Sequence, residues 1–550
     1  MRRKLEAAFA DFQANRIGDA AQAYRQIVEE DPDQPQALHM LGIIAFRMGR
    51  TDLALQLYDE AIRAEPAFAL AWSNRALILR MLGHAEDALQ SGRQAIACNP
   101  DLADGWDITG LLLRERRENE AAIQHHARAQ TLNPRNPHIQ NNYAVALAST
   151  GRLEEACHAA QQALALDPGF AVAHLTLANV LNDAGWPHRA VEHCRKAAAL
   201  DPSLAEAVMG EGRALLLMGD FEAGWPKLEL RKYNAERFAA MPRWQGEKVR
   251  HLILYAEQGV GDIVQFLRYI PRIRDRYEKL TLEVPASMRR FMAAQFPEAC
   301  ILSPDDPLPA ADAHGLLMSL PYLFRTTIFS VPASIPYVCA EEAWRRPWRE
   351  RLAGLPRPHI GLVWMGNPLY ANDQNRSLRS DDVGPLLSAA GPHLVSMQKG
   401  TVTAASLQMN VYDAEPALGD FADTTGLIAE LDLVISADTA TAHFAGALGK
   451  PVWTLLPFTP DWRWMLGRED TPWYPAMRLF RQNRPKDWPQ VVTRVTAEVR
   501  RYIGGNAAAL APAPWDGKIL RQNPNAIPLF SDHAVMTDPV GAKGAATGCG

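Results

Sequence analysis

The sequence predicts an α-helical solenoid followed by two α/β units. Over roughly the first 235 residues, prolines, glycines and alanines recur every 34 positions, which is typical of stacked helix–turn–helix units. After residue 250, short apolar runs alternate with helical segments, and this alternation predicts parallel sheets covered by helices. At 550 residues the chain is long enough for about three or four domains.

Glycine, alanine and proline each recur at fixed positions of the repeat. Glycine permits a left-handed turn between two helices, alanine lets the helices approach closely, and proline starts the next helix without losing a hydrogen bond. Between Gly49 and Gly219, Arg117 is the single exception at the position of the repeat that glycine occupies. The prolines are Pro32, Pro66, Pro100, Pro134, Pro168 and Pro202, and the glycines are Gly49, Gly83, Gly151, Gly185 and Gly219.

This pattern resembles the tetratricopeptide repeat, with repeats expected to begin near residues 1, 35, 69, 103, 137, 171 and 205. The seventh has Glu236 in place of proline, so we interpret it as an adapted cap. The predicted domains are 1–238 for the repeats, 239–340 and 341–505 for the α/β units, and 506–550 for a flexible tail rich in alanine, glycine and proline.

The repeats favour a protein-binding surface, although a spacer or a dimerisation module fits the same pattern. Asn74 and Asn142 share one inner-helix position, where amides can hold an extended peptide. Met40, Ile108 and Thr176 occupy the equivalent positions, so the asparagines form no continuous ladder. The two amides are therefore either part of an acceptor groove or ordinary helix-surface residues.

Composition argues against several classes of protein. The net charge of −5 argues against nucleic acid as the main partner, and no stretch approaches the roughly 20 apolar residues that span a bilayer. The six cysteines are scattered without a CxxC pair, and the charged amino-terminal stretch lacks a signal-peptide core. We expect a reduced, cytoplasmic protein without structural zinc.

The apolar runs predict the strands of both α/β units. In the first unit they are HLILYAE (251–257) and LTLEVP (280–285), and ACILSP, HGLLMSL and IPYV complete that unit. In the second they are HIGLVWMG (359–366), HLVSMQK (393–399), LDLVISAD (431–438), PVWTLLP and RLFRQ. Helices are expected at 421–431, 439–448 and 487–503, the last able to fold back across the first unit. Ligands of such sheets bind at the carboxyl ends of the strands.

A glycine-rich turn follows the first of these strands. Gly259 and Gly261 precede Asp262 at the start of a helix. The aspartate can simply cap the helix, or it can act as a general base at the edge of the sheet.

A second candidate site opens the helix predicted at 439–448. Asp438 ends a strand, and Thr439, Ala440 and Thr441 begin a helix whose free N–H groups and positive dipole suit a phosphate. His443 lies one turn further on, on the side of Thr439. Helix capping by Asp438 and a packed histidine account for the same residues.

A polar loop after the strand at 359–366 contributes Asn367 and Arg376, and Gln398 and Lys399 end the next strand on the same rim. The cations there can neutralise a diphosphate leaving group, although polar surface loops are common. Trp462, Trp464 and Trp473 are typical of a core or a lid, and less often stack on a sugar or a base.

From about residue 250 to 485 the chain resembles glycosyltransferases of the GT-B fold, which has two Rossmann-like domains, and specifically the heptosyltransferase-like family 9. The similar stretches are LILYAEQGVGDIVQFLRYIP, GLVWMGNPLYANDQNRSL, LVSMQKG and VISADTATAHFAGALGKPVWTLLP, in that order. PDWRWMLGREDTPWYPAMRLFRQ (460–482) is similar to bacterial members linked to tetratricopeptide repeats. The arrangement resembles that of O-linked N-acetylglucosamine transferases, in which repeats present protein acceptors to a GT-B half.

The resemblance implies an inverting, metal-independent transfer from a nucleotide sugar, without a cofactor, to a protein or peptide acceptor. Asp262 matches the aspartate proposed as the base. Asp438, Thr439 and His443 match the donor-binding DTxxxH element, and Arg376 falls near the basic residue that binds donor phosphate. No feature typical of lipid A or membrane binding is recognisable, which argues against a lipopolysaccharide acceptor.

Two other functions fit the sequence. The repeats can form a scaffold joined to a degenerate, inactive GT-B domain, or the enzyme can modify free saccharides while its repeats serve oligomerisation. The sequence names neither the sugar, the nucleotide nor the oligomeric state.

Overall fold

The computed structural model describes residues 1–231, 236–370, 372–400 and 411–529. The chain divides into two compact units, Met1–Val180 together with Pro528 and Leu529, and Leu181–Ile527. The helical repeats contribute to both units, since the division falls within one of their helices. The domain bounds derived from the repeat period stay a prediction.

Within the described residues before 232, fourteen helices form the pairs that the 34-residue period predicts. They are α1 Arg2–Gln13, α2 Ile17–Glu30, α3 Pro35–Arg47, α4 Thr51–Ala64, α5 Ala69–Met81, α6 Ala85–Cys98, α7 Ala103–Glu115, α8 Asn119–Leu132, α9 Pro137–Ser149, α10 Leu153–Leu166, α11 Ala171–Asp183, α12 Pro187–Leu200, α13 Ala205–Leu217 and α14 Phe221–Leu228.

The turn between the two helices of a repeat uses a left-handed backbone. Gly49, Gly83 and Gly151 have φ angles of 73°, 82° and 83°, which confirms the role predicted for the glycines. Arg117 adopts φ 64° at the same phase, and Asn15 adopts φ 58° in the first repeat. The hairpin therefore imposes this conformation even where a side chain makes it costly.

Small residues bring the helices of the first unit together. A Cβ added at Gly42 would lie 2.5 Å from the Tyr58 ring, so the two helices of that repeat touch through the missing side chain. The alanines of one phase are completely buried between helices, as the repeat predicts: Ala20, Ala54, Ala88, Ala122 and Ala156.

Two parallel sheets form the α/β part of the second unit. The first consists of β1 Val249–Tyr255, β2 Tyr277–Glu283, β3 Cys300–Leu302 and β4 Ala313–Leu316, in the order β3-β2-β1-β4. The second consists of β5 Ile360–Val363, β6 Leu394–Ser396, β7 Tyr412–Asp413, β8 Leu433–Ala437, β9 Val452–Leu456 and β10 Met477–Arg481, in the order β10-β9-β8-β5-β6-β7.

Helices cover these sheets. They are α15 Val260–Leu267, α16 Arg289–Gln295, α17 Leu320–Leu323, α18 Glu342–Leu352, α19 Asp373–Arg376, α20 Gly384–Ala390, α21 Phe421–Glu430, α22 Ala440–Ala447 and α23 Trp488–Ile503. Short 3₁₀ helices are Ile270–Arg276, Ala286–Met288, Leu317–Ser319, Ser380–Val383, Gly391–His393, Glu415–Ala417, Trp462–Trp464 and Ala507–Leu510. Among the described residues, no helix has the length and apolar character needed to cross a bilayer.

The last repeat packs through aromatic side chains on the segment between β9 and β10 of the second sheet. The ring of Phe221 in α14 stacks 5.9 Å from Trp473, and the Trp225 ring lies 5.1 Å from Trp462. The Trp225 indole also donates a hydrogen bond of 2.9 Å to the carbonyl of Thr326. Trp462 and Trp473 thus lie in the core, one of the two placements that their sequence context indicated.

Two details differ from the expected elements. The IPYV segment forms no strand, because Pro336 lacks an N–H donor and the N–H of Tyr337 bonds 3.1 Å from the carbonyl of Ala447 in α22. The helix α23 does not fold back across the first sheet. It buries Val491, Val495 and neighbouring apolar residues in the core of the second sheet.

The tail predicted from residue 506 is described as far as residue 529, and there it makes specific hydrogen bonds. The Asn523 backbone N–H donates to the Gly185 carbonyl at 2.8 Å, and its side chain donates to the Phe458 carbonyl at 3.1 Å. Trp186 donates to the carbonyl of Ile527 at 2.8 Å. This segment connects the α11–α12 turn to the second sheet.

Candidate active site

Two loops meet where β1 and β8 end, one from each sheet. The β1 loop continues into α15, and the β8 loop continues into α22. A Cβ added at Gly261 would lie 2.8 Å from Cδ2 of His443 and 3.5 Å from Cα of Ala440. The two helix starts therefore pack directly on each other, and the structure brings together the glycine turn and the DTxxxH segment.

Asp262 lies in the first turn of α15, and 22% of its side chain is exposed. Its Oδ2 accepts the N–H of Gly259 at 2.9 Å, so the aspartate does cap the helix. Its Oδ1 forms an ion pair with Nη2 of Arg463. Burial raises the pKa of Asp262, and the Arg463 guanidinium only partly offsets this effect.

Arg463 is the main residue of the site that the sequence did not single out. It lies in the 3₁₀ helix Trp462–Trp464, and 9% of its side chain is exposed. Nε donates to Oε1 of Gln265 at 2.5 Å, and Nη1 donates to Oδ1 of Asp461 at 2.6 Å. The only sequence signal for this cation is its position between two tryptophans in DWRW (461–464).

Asp438 and Arg376 form the other side of the site. The Arg376 Nη1 donates to the backbone carbonyl of Asp438 at 2.9 Å, and its Nε donates to Asp373 at 3.1 Å. Its guanidinium also lies 4.3 Å from the centre of the Tyr370 ring. Burial, and then the Asp461 carboxylate, raise the pKa of Asp438 to about 6.

Helix capping was one of the two roles predicted for Asp438. Its side chain does not cap α22. Thr439 is the N-cap residue, and its side chain makes no capping hydrogen bond. Its Oγ1 lies 3.0 Å from Oγ of Ser436 instead. Thr439, Ala440 and Thr441 are partly exposed, so the first N–H groups of the helix border the site.

His443 is buried in the first turns of α22, with 5% of the residue exposed. Its Nδ1 lies 2.9 Å from the Tyr474 hydroxyl, and its ring centre lies 5.3 Å from that of Trp464. Burial and then the Arg463 charge hold the pKa of His443 well below its ordinary value. The imidazole is therefore neutral at physiological pH, as a packed histidine should be.

The remaining three residues that were predicted to bind the nucleotide-sugar donor make their hydrogen bonds elsewhere along this edge of the second sheet. The Gln398 Oε1 accepts the N–H groups of Trp364 and Met365 at 3.1 and 2.9 Å, which joins the ends of β5 and β6. The ammonium of Lys399 donates to the Leu418 carbonyl at 2.6 Å. Asn367 is exposed and accepts the N–H of Leu369 at 3.0 Å.

In the first unit, the two candidate groove amides contact the preceding repeat. The Asn74 Nδ2 lies 2.8 Å from Nε2 of His39. The Asn142 Nδ2 donates to Oδ2 of Asp107 at 2.9 Å, and Oδ1 of the same aspartate lies 2.8 Å from Nδ1 of His126. Both amides are half-buried, so each connects successive repeats.

Among the described residues, no three histidine, cysteine or acidic side chains cluster in a way that could hold a metal ion. The charged groups of the site are two guanidinium groups, of Arg376 and Arg463, and the four carboxyl groups of Asp262, Asp373, Asp438 and Asp461. Such a set can hold an anion through its arginines and the start of a helix.

Comparisons with known proteins concern the repeats most clearly. The chain matches the tetratricopeptide repeat family over residues 5–60, 39–103 and 109–171. Protein FlbA of Caulobacter vibrioides is 27% identical over 335 residues, which cover 54% of this chain and 55% of FlbA. The chain thus spans about half the length of this curated relative.

Solved structures of helical-repeat proteins are also similar to this chain. The Cut9–Hcn1 assembly is 20% identical with a TM-score of 0.37, covering 38% of this chain and 42% of the other. A thermophilic tetratricopeptide-repeat protein of Thermus thermophilus is 25% identical with a TM-score of 0.30, covering 33% of this chain and 99% of the other. The family match and the fourteen paired helices identify the amino-terminal part of the chain as a tetratricopeptide-repeat solenoid, an architecture suited to protein interaction.

Proposed function

We propose that the chain is an inverting, metal-independent glycosyltransferase of the GT-B type, which moves a sugar from a nucleotide sugar to a protein or peptide bound by the repeats. The observation that carries the proposal is the convergence of Asp262 and the start of α22 across the contact of Gly261 with His443. One loop offers a carboxylate and the other offers helix N–H groups, with arginines beside both.

In the proposed step, Asp262 takes the proton of an acceptor hydroxyl while the acceptor oxygen bonds to the anomeric carbon of the donor. The bond from that carbon to the phosphate oxygen breaks, and its electron pair leaves with the nucleoside diphosphate. A single displacement inverts the anomeric configuration. Burial raises the pKa of Asp262, which brings the carboxylate closer to the strength that a base needs near neutral pH.

The leaving diphosphate would be stabilised by Arg376, Arg463 and the N–H groups at the start of α22. The two guanidinium groups would donate hydrogen bonds to the diphosphate oxygens, a role that a divalent cation fills in metal-dependent transfer. His443, being neutral, would act as a hydrogen-bonding partner. Gln398 and Lys399 would keep the rim of the second sheet in place.

The repeats support a macromolecular acceptor. A tetratricopeptide solenoid exposes an extended surface that is suited to contacts with other proteins. A protein or peptide held there would supply the hydroxyl that Asp262 deprotonates.

A second candidate function is a protein-binding scaffold whose α/β part has no activity. The contacts of Asp262 favour it, since both carboxylate oxygens are already engaged, one by Gly259 and one by Arg463. A carboxylate held in this way is a weaker base than a free one, and it needs no ligand to be satisfied.

Product analysis separates the two functions. The full chain is incubated in EDTA with UDP-, GDP-, ADP- and CMP-sugars and a soluble protein extract, and mass spectrometry detects proteins that gain one sugar. The control is Asp381→Asn, which replaces an exposed aspartate. Transfer by the unmodified chain and by this control, but not by Asp262→Asn, would support the proposal. Full transfer by a folded Asp262→Asn chain would rule out the base, and absence of transfer by the unmodified chain would favour the scaffold.

A further inference from the structure

All three nitrogens of the Arg463 guanidinium have a partner within the protein. Nε bonds to Gln265, Nη1 to Asp461 and Nη2 to Asp262. The guanidinium also lies 4.1 Å from the centre of the Trp462 ring. These contacts fix the plane of the group, so its position does not depend on the bond to Asp262.

The bond to Asp262 differs from the other two contacts of Arg463. Asp461 and Arg463 are two residues apart on one short 3₁₀ segment, and Gln265 is fully buried inside α15. Asp262 and Asp461 are both partly exposed, with 22% and 31% of their side chains accessible. Asp461 also accepts the backbone N–H of Arg463 at 3.1 Å and so is held by its own segment, whereas Asp262 borders the site where α15 and α22 meet. Of the three partners, Asp262 is therefore the one that a ligand entering the site can replace.

We propose that the diphosphate of the donor replaces Asp262 on Nη2 of Arg463, and that this exchange frees the Oδ1 of Asp262 to accept the acceptor proton. The inference rests on the proposed function. It makes Arg463 both a donor-binding residue and the group that restrains the base until the donor is bound.

The contacts of Arg463 allow Nη2 to change its partner while the guanidinium stays in position. Gln265 and Asp461 hold the guanidinium while Nη2 changes partner, and the N–H of Gly259 keeps hold of Oδ2 of Asp262. The freed oxygen therefore stays oriented toward the site. A diphosphate carries more negative charge and more acceptor oxygens than a single carboxylate, so it competes well for a guanidinium.

The exchange would also strengthen the base. Asp262 faces the charges of Arg463, Asp461, Arg376 and Glu257, and of these the two arginines lower its pKa. Once the diphosphate neutralises Arg463, the carboxylate binds a proton more tightly. The base would then act only when a leaving group is in place, which prevents proton transfer without a donor.

Calorimetric titration of the full chain tests this inference. The probes are inorganic pyrophosphate and UDP, GDP, ADP and CDP, all in EDTA at pH 7.5. Because Asp262 competes with the anion, Asp262→Asn is expected to bind the diphosphate about tenfold more tightly than the unmodified chain. Arg463→Gln is expected to bind it at least about tenfold more weakly.

Arg468→Gln is the matched control, since Arg468 is buried in the same segment but pairs with Asp470 at 2.7 Å. Its affinity for the diphosphate should equal that of the unmodified chain. If Arg463→Gln does not fold, the affinity of Asp262→Asn for the diphosphate is sufficient to test the exchange.

The outcomes separate the two levels of the proposal. Equal or weaker binding by Asp262→Asn, while the unmodified chain binds, overturns the exchange and leaves the donor site standing. Absence of binding by the unmodified chain to every diphosphate overturns the proposed function and the exchange together. Binding of pyrophosphate but of no nucleoside diphosphate keeps the exchange and overturns the nucleotide-sugar donor.

Discussion

Gly261 lies against the imidazole of His443, so closely that a methyl group on Gly261 would come within 2.8 Å of the ring. This contact joins the helix that carries Asp262 to the helix whose N-terminus faces the site. The sequence separates the two residues by 182 positions, as their numbers show. The relation between the proposed base and the proposed phosphate site thus depends on the absence of one side chain.

Gly261→Ala is therefore expected to destabilise the second unit and to reduce donor binding. Overpacking of this kind costs about 1–3 kcal/mol of unfolding free energy, because the His443 ring is buried and cannot move freely. Urea unfolding followed by tryptophan fluorescence measures the loss. Gly384→Ala is the control, since a Cβ there meets nothing within 4 Å, and a loss of stability equal to this control would contradict the packing argument.

Asp438 gives the site a specific pH dependence of stability. Its pKa is raised from 3.8 to about 6, first by burial and then by Asp461. Between these two values the folded chain keeps a proton that the unfolded chain has released. The stability that this proton contributes is present near pH 4 and is lost as the pH rises through about 6.

Asp438→Asn should accordingly melt at a higher temperature than the unmodified chain at pH 7.5, and the gap should close toward pH 4. Melting curves recorded by circular dichroism at intervals between these values provide the comparison, with exposed Asp381→Asn as the control. A gap of the same size at both ends of the range, or a less stable variant at pH 7.5, would show that Asp438 is not a destabilising charge.

Asn142 offers a test of the repeats. Its amide donates to Asp107, which also contacts His126, so Asn142→Ala should cost about 1 kcal/mol of unfolding free energy by removing one hydrogen bond. Chemical unfolding compared with exposed Gln124→Ala measures this effect. Unchanged stability together with weaker capture of a glycosylated protein would instead assign the amide to the acceptor groove.

The periodic part of the fold follows closely from the sequence. The 34-residue period predicts the helix pairs, the buried alanines and the left-handed turn, because each repeat meets the same neighbours. Arg117 shows the strength of that constraint, since it takes the turn conformation without being glycine. Most strands are also predicted, since runs such as LDLVISAD are apolar enough to be buried on both faces. The exceptions are β7, which no predicted run covers, and IPYV, which forms no strand.

The side-chain pairs of the site are not predictable in the same way. Arg463 meets Asp262 across 201 residues, and no local pattern indicates which of several arginines will do so. Gln398 follows a strand, as a ligand-binding residue would, yet its amide joins β5 to β6. Position at a strand end thus predicts nearness to the site, while the partner of each polar group depends on packing between the sheets.

Thermal unfolding of the full chain shows whether the chain binds a nucleotide sugar. Melting curves are recorded with UDP, GDP, ADP and CMP and their sugars, in EDTA and in magnesium. A ligand at 100 times its Kd stabilises the folded chain by about 2.7 kcal/mol, which raises the melting temperature of a domain by several degrees. A shift selective for one nucleotide and equal in both buffers is predicted. No shift with any of them would rule out a nucleotide-sugar site and favour a scaffold.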